Sequence, residues 1–166
     1  MYTIKKATVA DILTIQHIAQ QTWYPTFSAI LNPQQIAYML DMMYSATALE
    51  EQMQNKGHVF VLAQNDNKTL AYLSYELHYM GKTATKIHKL YALPNTQGKG
   101  VGKYLIAHVI SEAQKAGDTA LLLNVNRYNA AAGFYEKVGF RIIAQEDIAI
   151  GEGYLMEDFV MQKDIV

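Results

Sequence analysis

The first third of the chain carries apolar positions at helical spacing, framed by polar caps. Residues 2–6 alternate as a short strand, and Thr8 stands three residues before Asp11, the spacing of a capping box. Ile12, Ile15, Ile18 and Ala19 then mark an apolar stripe to about Gln21. Trp23, Tyr24, Pro25, Thr26 and Phe27 read as an aromatic connector broken by the proline. Asn32-Pro33 supplies a cap and a first-turn proline for a second helix with Ile36, Met39, Leu40 and Met43 on one side. Ser45 caps a third helix that stops near Gly57.

The period then falls to two. Residues 58–63 and 70–79 are expected as strands around the polar turn 64–68, and residues 85–93 as a third, together an antiparallel meander. A helix presenting Leu105, Ile106, Val109, Ile110 and Ala113 follows, ended by Gly117. Residues 121–125 form a nearly uninterrupted apolar strand, as where both faces are covered. Asn129 opens a last helix that Gly139 closes, and strands at 141–145 and 154–162 complete the order β-α-α-α-β-β-β-α-β-α-β-β. No repeat or linker interrupts it, so residues 1–166 are expected as one domain of the α/β (α+β) class.

Composition narrows the function. With 51% apolar and 17% charged residues the chain has material for a core and is not a disordered tail. The absence of cysteine excludes disulfides, thiolate metal sites and cysteine nucleophiles, and fits a reducing compartment. A net charge of −1 gives no global basic field for nucleic acid. No apolar run is long enough for a signal peptide or a bilayer span, so the expected location is the cytoplasm, with no membrane partner. The aromatic set is tilted to tyrosine, 12 against 5 phenylalanines and 1 tryptophan. Charge is also uneven: Lys82, Lys86, Lys89, Lys99 and Lys103 fall in a stretch without carboxylates, whereas Glu146, Asp147, Glu152, Glu157, Asp158 and Asp164 crowd the last 23 residues beside Lys163 alone. That division is either ordinary solvated surface or two patches, one for an anionic and one for a cationic ligand.

The sharpest local signal is Gln97-Gly98-Lys99-Gly100-Val101-Gly102, between a strand and a helix. Glycines leave backbone N–H groups uncovered, and the helix start adds unpaired N–H groups and positive dipole, together an anion site reinforced by Lys99 and Lys103. A nucleoside-triphosphate loop would need Gly-Lys-Ser/Thr, but Val101 follows Gly100. A dinucleotide fold would place such a loop after the first strand of a parallel series, and the strands before this one read as antiparallel.

With Leu90, Tyr91, Ala92, Leu93 and Pro94 before it, this loop resembles the acetyl-CoA pyrophosphate loop of the GCN5-related N-acetyltransferases (GNAT), whose signature is Gln/Arg-x-x-Gly-x-Gly/Ala. About 30 residues on, Asn129 with Phe134, Tyr135, Glu136, Lys137, Val138, Gly139 and Phe140 resembles the second signature of the same family. The resemblance extends over nearly the whole chain. It implies a mixed, mostly antiparallel sheet of six to seven strands flanked by helices, with a central parallel pair splayed apart. The N-terminal third resembles, more narrowly, the bacterial spermidine/spermine acetyltransferases, through residues 22–27, the helix around Tyr38, and residues 48–52.

The resemblance implies acetyl-CoA as co-substrate and no metal. Gln97, Gly98, Lys99, Gly100, Val101, Gly102 and Lys103 would hold the pyrophosphate. Leu90, Tyr91 and Ala92 would pair with the pantetheine arm and offer an amide to the thioester oxygen. Tyr135 would protonate the departing thiolate. The family asparagine most often lies seven residues before that tyrosine, where Tyr128 stands; Asn129 lies six before it. Asn124 occupies the place of a glutamate base found in some members, and an amide cannot act as a base. His88 stands where several members carry a carboxylate and has a suitable pKa to deprotonate an amine, with Glu76 and His78 as competitors. Trp23, Tyr24, Phe27, Glu76 and the acidic C-terminal region are expected to receive a cationic acceptor. The expected reaction is direct acetyl transfer to a primary amine, best a polyamine; a peptide N-terminus, a protein lysine or a non-catalytic acyl-CoA-binding module are the alternatives. A homodimer through an edge strand is compatible with such a sheet.

Overall fold

A computed structural model describes residues 1–166. Its elements are β1 (Thr3–Lys6), α1 (Ile12–Phe27), α2 (Pro33–Tyr44), α3 (Ala46–Gln54), β2 (Val59–Asn65), β3 (Lys68–Glu76), β4 (Ala84–Ala92), α4 (Val101–Lys115), β5 (Ala120–Asn126), α5 (Ala131–Lys137), β6 (Arg141–Gly151) and β7 (Tyr154–Asp164). The expected order of strands and helices is therefore the observed one. The strands bond in the order β1-β2-β3-β4-β5-β7-β6, a seven-stranded mixed sheet in which β4 and β5 are a parallel pair and the β1–β2, β2–β3, β5–β7 and β6–β7 pairs run antiparallel. The chain divides into two compact units, Met1–Glu76 with His88–Val109 and Leu77–Ile87 with Ile110–Val166. No helix is long and apolar enough to cross a membrane.

In the first unit, Thr8 and Asp11 do form a capping box, around a single 3-10 turn that leads into α1. α1 does not stop near Gln21: it runs through Pro25 to Phe27, which corrects the expected connector. Proline usually breaks a helix interior because it removes a donor and crowds the preceding turn. Here Trp23 and Phe27 continue the stripe of Ile15, Ile18, Ala19 and Thr22 and are buried with it, whereas Gln21, whose carbonyl loses its helical donor, is exposed to water. Burial of two rings outweighs the proline. The caps of the next helices are those expected, Asn32 Oδ1 accepting from the Gln35 N–H at 2.7 Å and Ser45 Oγ from the Ala48 N–H at 3.1 Å. β2 and β3 join through Asp66 and Asn67, both at positive φ, as a two-residue hairpin requires.

In the second unit, Leu121, Leu123 and Met161 are fully covered. The β4–β5 ladder pairs Ala84 with Ala120 through Ile87 with Leu123, while β4 itself continues through His88, Lys89, Leu90 and Tyr91 to Ala92. The β2–β3 turn is shorter than the expected 64–68, since Gln64, Asn65 and Lys68 pair within the strands. Two strand boundaries differ from expectation by three residues or more. β3 ends at Glu76 rather than near 79, because His78 and Met80 turn left-handed, at φ 51° and 54°. The His78 N–H donates to Asp118 Oδ2 at 3.0 Å and fixes that turn. β6 extends to Gly151 rather than 145, since Asp147↔Glu157, Ile148↔Met156 and Ala149↔Leu155 continue its pairing with β7.

Candidate active site

The glycine loop belongs to the first unit. Gly98 and Gly100 lie at φ +78° and +82°, with open space where a Cβ would project, and residues 97–100 are exposed. The strand-turn-helix path thus presents bare backbone at the first turn of the fifteen-residue α4, whose early N–H groups have no intrahelical acceptor. Two tyrosines brace it. Tyr2 Oη donates to the Lys99 carbonyl at 2.9 Å, Tyr104 Oη donates to the Tyr2 carbonyl at 2.9 Å, and their rings lie 5.6 Å apart. Lys99 and Lys103 are exposed at the same end. The residues present fit a pyrophosphate.

Along β4, Leu90, Tyr91 and Ala92 are half-buried, and the Tyr91 ring lies 5.8 Å from both Trp23 and Tyr72. Tyr72 Oη donates to Tyr44 Oη at 2.7 Å within the same aromatic cluster. Of the expected acceptor-side aromatics, Tyr24 is 43% exposed whereas Trp23 and Phe27 are 1% and 5% exposed. Only Tyr24 presents its ring to solvent; the other two back the cluster from the core.

Glu76 and His88, expected as competitors, are partners. His88 Nε2 lies 3.0 Å from Glu76 Oε1, and His58 Nε2 approaches the same oxygen at 3.4 Å. The His58 and His88 rings stack 3.9 Å apart, 11° from parallel. Desolvation, with the charges of His88 and Lys89 adding to it, pushes the His58 pKa down to about 4, so this ring is neutral at neutral pH. His78 is not part of the group: it sits on the turn after β3, with Nδ1 2.7 Å from Asp118 Oδ1. Lys89 points instead into the core, where its Nζ donates to Gln52 Oε1 at 2.8 Å.

In the second unit Tyr135 is buried, with the Phe134 and Phe140 rings 5.3 and 5.7 Å away. Burial drives its phenol well above its ordinary pKa, so it remains protonated. Asn129 Oδ1 accepts from the Ala131 N–H at 2.9 Å, which occupies that oxygen at the start of α5, while Tyr128 is 62% exposed. Asn124 accepts from Lys86 Nζ and donates to Glu146 Oε2 and Asp158 Oδ2, each at 3.2 Å. Desolvation raises the buried Asp158, against the opposing influence of Asn124 and Lys86. The acidic C-terminal run is thus largely engaged: Asp147 and Glu157 face Arg127, and Asp164 faces Arg141. A groove of about 600 Å³ in this unit is lined by Lys86, Leu122, Asn124, Glu146, Ile148 and Val160 among others.

Sequence reasoning missed His58, Asp118 and the Tyr2–Tyr104 brace. His58 precedes its strand and carries no motif, and the brace joins residues 102 positions apart.

Residues 28–160 match the family model of the acetyltransferase (GNAT) domain. A spermidine N(1)-acetyltransferase of Thermoplasma acidophilum is 27% identical over 165 residues, 96% of this chain and 95% of its own. The ribosomal protein bS18-alanine N-acetyltransferase of Escherichia coli is 29% identical over 103 residues, 53% of this chain and 70% of its own. Among solved structures, the PaiA N-acetyltransferase of T. acidophilum in complex with coenzyme A superposes with a TM-score of 0.82 at 24% identity, covering 99% of both chains. Two signatures, the strand order and a domain match over most of its length agree: the chain belongs to the GNAT family and is an acetyl-CoA-dependent N-acetyltransferase.

Proposed function

We propose that this enzyme acetylates a primary amine of a polyamine, of the spermidine or spermine class, by direct attack of the amine on the thioester in the cytoplasm. The observation that carries the acceptor class is the length of the sequence match: it spans 96% of this chain for the spermidine acetyltransferase and 53% for the bS18-alanine enzyme, although the fold is shared with both. The full-length sequence match favours the polyamine. A peptide or lysine acceptor is the second reading, since relatives with those activities match 53% and 36% of the chain.

The residues divide the work as follows. Gln97, the amides of residues 98–103 and the charges of Lys99 and Lys103 bind the pyrophosphate, with Asn129 contributing its remaining amide group. Leu90, Tyr91 and Ala92 pair their backbone with the acyl arm, and an amide there stabilises the oxyanion as the C–N bond forms. His88, oriented by Glu76, takes the ammonium proton before attack. Tyr135 donates a proton to the sulfur as the C–S bond breaks, and the proton that the new amide nitrogen sheds restores the phenol. Tyr24 and Glu76 attract the acceptor's charge, and Trp23 and Phe27 hold Tyr91 in place. A panel of spermidine, spermine, free amino acids and short peptides with acetyl-CoA tests the proposal. Turnover on the polyamines at the highest kcat/KM is expected; acetylation of peptides alone would overturn it.

A further inference from the structure

We propose that His58, Glu76 and His88 form a binding site for a borderline divalent cation of the Zn²⁺ type, and that occupancy blocks acetyl transfer. The three residues come from neighbouring strands: His58 immediately precedes β2, Glu76 ends β3, and His88 lies in β4. Each offers one ligand atom, and the three atoms lie within 4.8 Å of one another. Tetrahedral zinc with bonds of about 2.0–2.1 Å separates its ligand atoms by roughly 3.3 Å. Glu76 Oε1 already stands 3.0 Å from His88 Nε2 and 3.4 Å from His58 Nε2. The two rings now stack 11° from parallel, so binding requires them to swing out of the stack until both nitrogens face one ion, and the fourth position is left to water.

Two imidazoles and one carboxylate select zinc, cobalt or nickel over magnesium and calcium, which take oxygen shells. All three side chains are partly open, at 12%, 25% and 20% exposure, so an ion has access. Ligation through His58 Nε2 leaves its proton on Nδ1, a buried atom with no hydrogen-bond partner in the chain. A metal-bound histidine normally donates that proton to an acceptor, and its absence weakens binding. The site therefore takes up and releases its ion reversibly rather than holding it as a structural centre. The inhibitory part rests on the assignment of His88 as base: with Nε2 on the metal, the ring carries its one proton on Nδ1 and has no lone pair left for the amine's proton.

The test uses the full chain without a histidine tag. Titration calorimetry should give one Zn²⁺ per chain, Co²⁺ should develop the visible absorption of a low-coordinate centre, and Mg²⁺ should do neither. Zn²⁺ should suppress acetyl transfer and a chelator should restore it. His58→Phe keeps the ring stack and removes the ligand atom, so Zn²⁺ affinity should fall by more than about tenfold. Glu76→Gln serves as the second variant, read by binding alone, should His58→Phe not fold. Absence of stoichiometric Zn²⁺ uptake, or unchanged affinity in a folded ligand variant, would overturn the site. Uptake without inhibition would keep the cation site and remove His88 from the role of base.

Discussion

Lys89 Nζ donates to Gln52 Oε1 across 2.8 Å in the core of the first unit, with the Tyr44 and Phe60 rings 5.4 and 5.5 Å away. Desolvation, assisted by the charge of Lys56, pushes its pKa down to about 7. An unfolded lysine keeps its proton to about pH 10.4. Between those values the unfolded chain binds a proton that the folded chain does not, so this group makes stability rise with pH across the window. Its penalty is fully present below pH 7. Urea unfolding of Lys89→Met and wild type from pH 6 to 10 should therefore show the variant gaining most, relative to wild type, at the acid end, by a few kcal/mol compared with pH 10. A difference independent of pH would refute the buried-ammonium account.

The carboxylate of Asp118 has the opposite sign. Burial favours its neutral form, but the His78 N–H, the Thr85 hydroxyl at 2.7 Å and the His78 ring outweigh burial and hold its pKa below the usual carboxylate value. Stability from this group is present above an unfolded pKa of about 3.9 and is lost as pH falls through the lower folded value. Asp118→Asn should cost about 1–3 kcal/mol at pH 7 by weakening three contacts to one buried carboxylate. The cost should shrink in acid as the wild-type group protonates, which denaturation at pH 7 and pH 3 would measure.

Local patterns carried most of this fold into view. Caps at Thr8, Asn32 and Ser45 and stops at Gly117 and Gly139 each state a boundary through one side chain or one positive φ, and each is observed. Pro25 misled because its local cost is visible in sequence, while the offsetting burial of Trp23 and Phe27 depends on Tyr44 and Tyr91, far along the chain. The extension of β6 was hidden for a similar reason: Glu146 and Asp147 look like loop residues until Asn124 and Arg127 are found opposite them. The glycine loop was legible because its chemistry is backbone chemistry. The His58–Glu76–His88 group was only half legible, since three strands had to be set in order before the third residue came into reach.

Gly100 separates the phosphate-binding contribution from stability. A side chain there meets no neighbour, so its only local penalty is the left-handed backbone, at φ +82°. Gly100→Ala should cost about 1–2 kcal/mol where that conformation is held. Relaxation of the loop to avoid the strain withdraws the amides around it from the pyrophosphate. The KM for acetyl-CoA should rise while the KM for the amine stays near its wild-type value. Initial-rate kinetics with each substrate varied would check this, and equal rises in both constants would contradict it.

Tyr135→Phe asks whether a buried tyrosine is core or chemistry. The two side chains have nearly the same shape, and the Phe134 and Phe140 ring contacts remain, so the melting temperature should change little. Because burial raises the phenol, it is a proton donor throughout the neutral range and contributes no limb to the pH–rate profile there. Losing a general acid typically costs 10²–10⁴-fold, so kcat should fall by about a hundredfold, with the KM for acetyl-CoA little altered. The deficit should also depend on the leaving group. A thioester of a more acidic thiol needs less protonation as it departs, and with such a donor the variant should recover towards wild type. A purely structural tyrosine predicts the same small change with both donors, and that outcome would remove Tyr135 from the mechanism.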